Sequence, residues 1–163
     1  MDGIQLRAAD PDDFGAVLPL VQAFYQEEGF TTPAERLSTN LATLLRAQDA
    51  RVAVAVTVDG LVGFAVTTTS FGLEQGHLAE LEDLYVVPGE RGRGVGAALI
   101  EDSATWADQR GCRELEVVLA PHDRDIGRLM AYYRQHDFAD EGRRLLSRVL
   151  GPAPHRPDQH AAG

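Results

Sequence analysis

At 163 residues the chain is sized for one domain with its own core, and its 44% hydrophobic and 25% charged content is ordinary for a globular protein. Fifteen basic residues, every one arginine, face 25 acidic ones, and the net charge of −10 disfavours nucleic acid and favours a cationic partner. No apolar run approaches the roughly 20 residues of a membrane span, and the one cysteine, Cys112, excludes an internal disulfide or a cysteine-built metal cluster. Met1-Asp2-Gly3 does not open a secretory signal, so the cytoplasm is the expected compartment.

Residues 4–7 read as a first strand. Asp10-Pro11 then starts a helix, with Asp10 as cap and proline at the first helical position. Phe14, Val17, Leu18, Val21, Phe24 and Tyr25 recur at helical spacing and are expected in the core, and Gly29 ends the helix. Thr32-Pro33-Ala34-Glu35 has the form of a capping box for a second helix, whose inner stripe is Leu37, Leu41, Leu44 and Leu45. Strands follow at 52–58 and 61–69, joined by the turn signal Asp59-Gly60. A loop at 71–76 leads to a strand at 78–87, a helix at 95–110, a strand at 114–120, a helix at 125–136 and a last strand at 143–150. The sum is an α+β domain over 1–150, with a central mixed, mostly antiparallel sheet flanked by helices. Residues 151–163, rich in Pro, His and Ala, read as a loose tail.

The most informative segment is Val86-Val87-Pro88-Gly89-Glu90-Arg91-Gly92-Arg93-Gly94-Val95-Gly96-Ala97, a glycine-rich turn between a strand and a helix. Glycines at alternating positions let several backbone N–H groups face one concave space, and the first turn of a helix adds unbonded donors and partial positive charge. Such a cradle suits a phosphate or pyrophosphate, with Arg91 and Arg93 at its rim. A Walker loop is excluded because no lysine follows the glycines, and a dinucleotide fingerprint because the turn lies past mid-chain with no acidic residue closing the next strand.

The segment resembles the acetyl-CoA loop of the GCN5-related N-acetyltransferases, Gln or Arg-x-x-Gly-x-Gly or Ala after a strand ending Val-x-Pro. Arg91, Gly94 and Gly96 fill those slots, and Val86 and Pro88 the preceding ones. Tyr132-Tyr133-Arg134-Gln135-His136-Asp137-Phe138 is similar to the family's Leu-Tyr-x-x-x-Gly-Phe segment. The resemblance covers about residues 4–150. It implies an N-acetyltransferase that uses acetyl-CoA as co-substrate, needs no metal, and lets an amine attack the thioester directly. Cofactor contacts are implied at Leu84, Tyr85, Val86, Arg91, Gly92, Arg93, Gly94, Val95, Gly96 and Ala97. Two positions depart from the pattern: His136-Asp137 precedes Phe138 where a glycine is usual, and Ile126 stands where many members have asparagine.

An aliphatic amine with a pKa of about 10.4 must lose a proton before it attacks. Glu82 and Asp83 are the nearest carboxylates. They are neighbours on a strand, so they should face opposite ways unless a bulge intervenes. The resemblance favours Glu82 as base or relay, with Glu80 on its face as support. A backbone N–H near 84–86 is the expected donor to the thioester oxygen, provided a splay leaves it unpaired. Tyr133, five residues before Phe138, matches the family's tyrosine acid for the departing thiolate, and Tyr132 is expected in the core. His77 and Trp106 read as a solvated and a packing residue.

The acceptor is read as a small polycation. The chain is acidic, and Phe24-Tyr25-Gln26-Glu27-Glu28 sets aromatic and acidic groups where the family's acceptor loop begins. Tyr25, Glu27, Glu28, Glu80 and Asp83 are the candidate acceptor contacts. An aminoglycoside is the leading acceptor, with a polyamine or a protein amine as the alternative. A CoA-binding regulatory module without turnover is the reading from another class, disfavoured by the joint presence of Glu82 and Tyr133. Neither nucleic acid nor membrane is expected as a partner, and a homodimer is compatible with the sequence.

Overall fold

The computed structural model describes residues 3–119 and 125–150. Strand β1 (Gln5–Ala8) is followed by a 3-10 turn over Pro11–Asp13 and helix α1 (Phe14–Glu28). Asp10 caps this start through a bond from the Asp12 N–H, and the Asp13 side chain accepts from the Asp10 N–H in return. Arg7 grips Asp13 at 2.6 Å, so strand and helix entry are tied together and the Asp13 carboxyl is held down to about 2. Gly29 closes α1 at φ 73°. Helix α2 (Ala34–Leu44) buries Leu37 and Leu41 as its periodicity predicts, but the Thr32 capping box does not form. Pro33, extended at φ −59° and ψ 141°, is the cap residue, which leaves Thr32 one position too early to reach the first turn.

Strands β2 (Ala50–Thr57), β3 (Gly60–Gly72) and β4 (Gly76–Val86) form an antiparallel meander, and β5 (Leu115–Glu116) adds parallel to β4. The order is β1-β2-β3-β4-β5, the mixed, mostly antiparallel sheet expected. The loop foreseen at 71–76 is shorter, because β3 runs through Gly72 and pairs it with Gly76. Helices α3 (Val95–Gln109) and α4 (Ile126–Arg134) complete the order.

Two apolar layers sandwich the sheet. On one face Val17, Val21, Leu37 and Leu41 of the first two helices meet Val52, Val54, Phe64, Val66 and Tyr85. On the other, Val95, Leu99 and Ile100 of α3 and Tyr133 of α4 meet Ala53, Ala55, Ala65 and Leu81. Alanines at the sheet surface let α3 settle close, and a two-pronged bond from Arg51 to Asp102 at 2.8 and 2.9 Å fixes it on β2.

Two expectations fail at the C-terminal side. The strand foreseen at 114–120 is a two-residue pairing, with residues 117–119 unladdered and residue 120 outside the described range. The strand foreseen at 143–150 is absent among the described residues, and Leu145 and Leu146 stand 72% and 92% exposed. β5 stops at Glu116, so the sheet edge beside this segment is only two residues long among the described residues. Arg143 holds its start by an ion pair to Glu116 at 2.6 Å. The proposed tail at 151–163, with His155 and His160, and also His122, lie outside the described residues.

Candidate active site at the open edge of the fourth strand

The centre of the site is a register shift. Val66 pairs with Asp83 and Thr67 with Leu81, so Glu82 is an extra residue on β4, a β-bulge. Its consequence is a change of side-chain parity. Leu81 and Leu84 both enter the α3-side core, whereas strict alternation would separate them. The three carboxylates are thereby gathered on the α1 side. Glu82 accepts from the Thr68 hydroxyl at 2.8 Å, Asp83 accepts from the Tyr25 hydroxyl at 3.4 Å, and Glu80 stands in register with Thr68. The bulge that sequence alignment of faces requires for Glu82 and Asp83 to cooperate is therefore present.

Burial and crowding make this cluster electrostatically unusual. Asp83 is pushed up to about 6, chiefly by desolvation and then by the Glu82 charge, with the Tyr25 bond opposing. Glu80 is raised by desolvation, Glu82 and Glu116, and the Tyr25 phenol goes up to about 12 through burial and the Asp83 charge. A carboxyl whose folded pKa lies above its unfolded value adds stability below about 4 that is lost as pH rises through about 6. Asp83→Asn should therefore stabilise the protein by about 2–3 kcal/mol at pH 7–8, the free-energy equivalent of that shift. Thermal unfolding from pH 4 to pH 8 checks this. The gain should shrink towards pH 4, and a gain independent of pH would show that Asp83 carries no such strain.

Beyond Glu80 the outer edge of β4 has no strand partner among the described residues. The Val87 N–H bonds the Val62 carbonyl on the β3 side at 2.9 Å. Strand alternation then turns the N–H groups of Leu84 and Val86 outward to the open edge. A backbone donor near 84–86 on this edge therefore has no strand partner among the described residues. Tyr85, between them, turns its backbone to β3 and buries its side chain in the α1-side core, 6% exposed, so it presents nothing to this edge.

The edge leads into the glycine turn. A 3-10 turn over Pro88–Glu90 is followed by Gly92 at φ 74° and Gly94 at φ 84°, left-handed conformations that favour glycine. The first bond of α3 runs from the Ala98 N–H to the Gly94 carbonyl at 3.0 Å. The amides of Gly92, Arg93, Gly94, Val95, Gly96 and Ala97 have no acceptor among the described residues, whereas that of Arg91 bonds Pro88. Six consecutive donors without an acceptor at a helix start fit an anionic group.

The rim arginines are already engaged. Arg91 pairs with both oxygens of Glu27 at 2.8 Å, donates to the Val86 carbonyl at 2.8 Å and lies 5.5 Å from the Tyr85 ring centre. Arg93 pairs with Glu90 at 2.9 Å. The Arg91–Glu27 contact binds the turn to the end of α1, and Glu27 is committed there, while Glu28 is exposed.

On α4, Tyr133 is buried against Phe138 in the α3-side core. Asp137 takes φ 64°, and the Phe138 N–H returns to the Tyr133 carbonyl at 3.2 Å. Asp137 thus supplies the left-handed helix exit for which glycine is usual, and aspartate tolerates that region better than most residues. Tyr132 is half-buried, with its hydroxyl directed at Gly96. Ile126 opens α4 as an apolar residue. His77 packs on Phe71, and Trp106 carries the Arg110 guanidinium 4.9 Å from its ring centre.

The sequence left the bulge as an open condition and gave no sign of the Thr68 bond. A signal existed: Leu81 and Leu84 flank two consecutive carboxylates, a break in alternation that a bulge repairs.

Comparison with known proteins agrees with this geometry. Residues 16–138 match the Acetyltransferase (GNAT) family. The chain is 33% identical to aminoglycoside N(6')-acetyltransferase type 1 of Stenotrophomonas maltophilia over 115 residues, 68% of this chain and 71% of that one. It is 43% identical over 72 residues to the protein of the same description from Klebsiella aerogenes, a match of 42% of this chain that spans only 47% of that relative's length. Aminoglycoside N-acetyltransferase AAC(6')-Iy in complex with CoA has the same fold, with a TM-score of 0.76 at 19% identity over 90% of this chain and 94% of that one. The glycine turn, the open β4 edge and the match over residues 16–138 together place this chain in the GNAT acetyltransferase family.

Proposed function

We propose that the protein transfers the acetyl group of acetyl-CoA to a primary amine of an aminoglycoside. The observation that carries this is the continuity of six unpaired amides, an open strand edge and three crowded carboxylates along one stretch of chain. The amides of residues 92–97 hold the pyrophosphate, which a side chain at Gly94 would disturb. Acetyl-CoA supplies an activated acyl group as a thioester.

Glu82, exposed and oriented by Thr68, accepts the proton of the incoming ammonium. Asp83 and Glu80 keep the local field negative, which recruits a polycation, and Tyr25 fixes the orientation of Asp83. The Leu84 N–H, turned to the open edge, stabilises charge on the carbonyl oxygen as the nitrogen attacks. Tyr133 lies on the other side of the sheet and donates its phenolic proton to the leaving sulfur. Amine and thiol thus occupy opposite sides of the opening between β4 and β5, so proton acceptor and donor do not compete. Glu28 extends the acceptor surface at the end of α1. The net charge of −10 and the relatives named as aminoglycoside N(6')-acetyltransferases support this acceptor over a protein amine.

The test is a pH–rate profile of wild type and Glu82→Gln with an aminoglycoside and with spermidine. Glu82→Gln should lower kcat/KM most at low pH, where the amine is charged, and least where it is already neutral. Acceptor KM should rise with salt, since screening limits exposed charges to about 8 Å at physiological ionic strength. A pH-independent loss in Glu82→Gln would remove Glu82 from the role of base. Preference for spermidine would reassign the acceptor to a polyamine.

A further inference from the structure

We propose that Tyr132 is a cofactor-positioning residue, its hydroxyl donating a hydrogen bond to the pyrophosphate held in the glycine turn. The proposal rests on the acetyl-CoA reading and extends it to the neighbouring helix α4. A Cβ at Gly96 would lie 2.6 Å from the Tyr132 hydroxyl oxygen, 3.8 Å from its ring carbon Cζ and 3.8 Å from Val86 Cγ2. The hydroxyl therefore rests on the first turn of α3, at the seam with the end of β4, beside the unpaired amides.

The ring is held edge-on by Tyr133 and His136, with centroids 5.4 and 4.8 Å away. Its hydroxyl has no hydrogen-bond partner among the described residues, although the side chain is half-buried. Packing alone would be served by phenylalanine. Alanine at position 96 would favour the helix by about 1 kcal/mol over glycine, yet it would displace this hydroxyl. Glycine and tyrosine thus act as a pair that keeps a neutral donor where an anion is expected. Burial raises the phenol's pKa further, so it stays protonated through the physiological range.

Titration calorimetry with CoA and acetyl-CoA, together with steady-state kinetics, tests this on wild type, Tyr132→Phe, Gly96→Ala and the double variant. Tyr132→Phe should weaken both ligands about tenfold, the loss of one hydrogen bond to a charged acceptor, raising KM for acetyl-CoA without changing kcat. Gly96→Ala should weaken binding comparably by displacing the hydroxyl. The double variant should bind no worse than either single one, because without the oxygen the added methyl meets only Cζ at ordinary contact distance. Unchanged affinity in Tyr132→Phe, or a fall in kcat at constant KM, would overturn the proposal. A wild type without CoA affinity would overturn the acetyl-CoA reading itself, before any variant is compared.

Discussion

Gly94→Val should lose acetyl-CoA binding by roughly a hundredfold or more while the protein still folds, because a β-branched residue cannot hold the left-handed backbone that aims the amides. Gly94 sits at φ 84° as the cap of α3, between Gly92 at φ 74° and the first helical bond at Ala98. Forcing a side chain into that conformation costs about 1–2 kcal/mol, well inside the usual 5–15 kcal/mol of domain stability. The strain relaxes by a local rotation of the peptide planes, which scatters the donors. Calorimetry with acetyl-CoA checks the affinity and thermal unfolding checks the fold. Retained affinity would show that the anion is held elsewhere, since the rim arginines are already committed to Glu27 and Glu90.

Tyr133→Phe should lower kcat by about a hundredfold with cofactor affinity nearly unchanged, the effect of removing a general acid from its place. The ring fills the α3-side core against Phe138, and phenylalanine preserves that packing. Stability should therefore change by only about 1 kcal/mol, the scale of a single hydrogen bond. The readout is kcat against acetyl-CoA KM and melting temperature. Normal turnover with reduced stability would make Tyr133 a structural residue and leave the thiolate to a solvent proton.

The parts of this site that are legible in the sequence depend on local backbone rules. Alternating glycines, the Asp10-Pro11 helix start and Gly29 at a helix end are decided within a few residues, and each appears where it was expected. The parts that escaped depend on partners distant in the chain. Glu82 and Asp83 share a face only because β3 meets β4 with a one-residue shift at Val66 and Thr67. The segment 143–150 has the composition of a strand but only a two-residue edge beside it among the described residues, and strand formation is set by such context more than by propensity. Arg91 shows the same limit. Its pairing with Glu27 from the end of α1 joins residues 64 apart, which no local rule reveals. Asp137 is the converse: a departure from the glycine pattern at Phe138 leaves the helix exit unchanged, because aspartate adopts the required φ.

The most direct test of acetyl transfer is thiol release from acetyl-CoA by the purified protein, followed with an aminoglycoside, spermidine and a peptide amine in parallel. CoA formation should require the amine, be fastest with the aminoglycoside, and yield a product heavier by one acetyl group. No amine-dependent thiol release with any of the three, from a folded protein that binds acetyl-CoA, would contradict acetyl transfer to an amine.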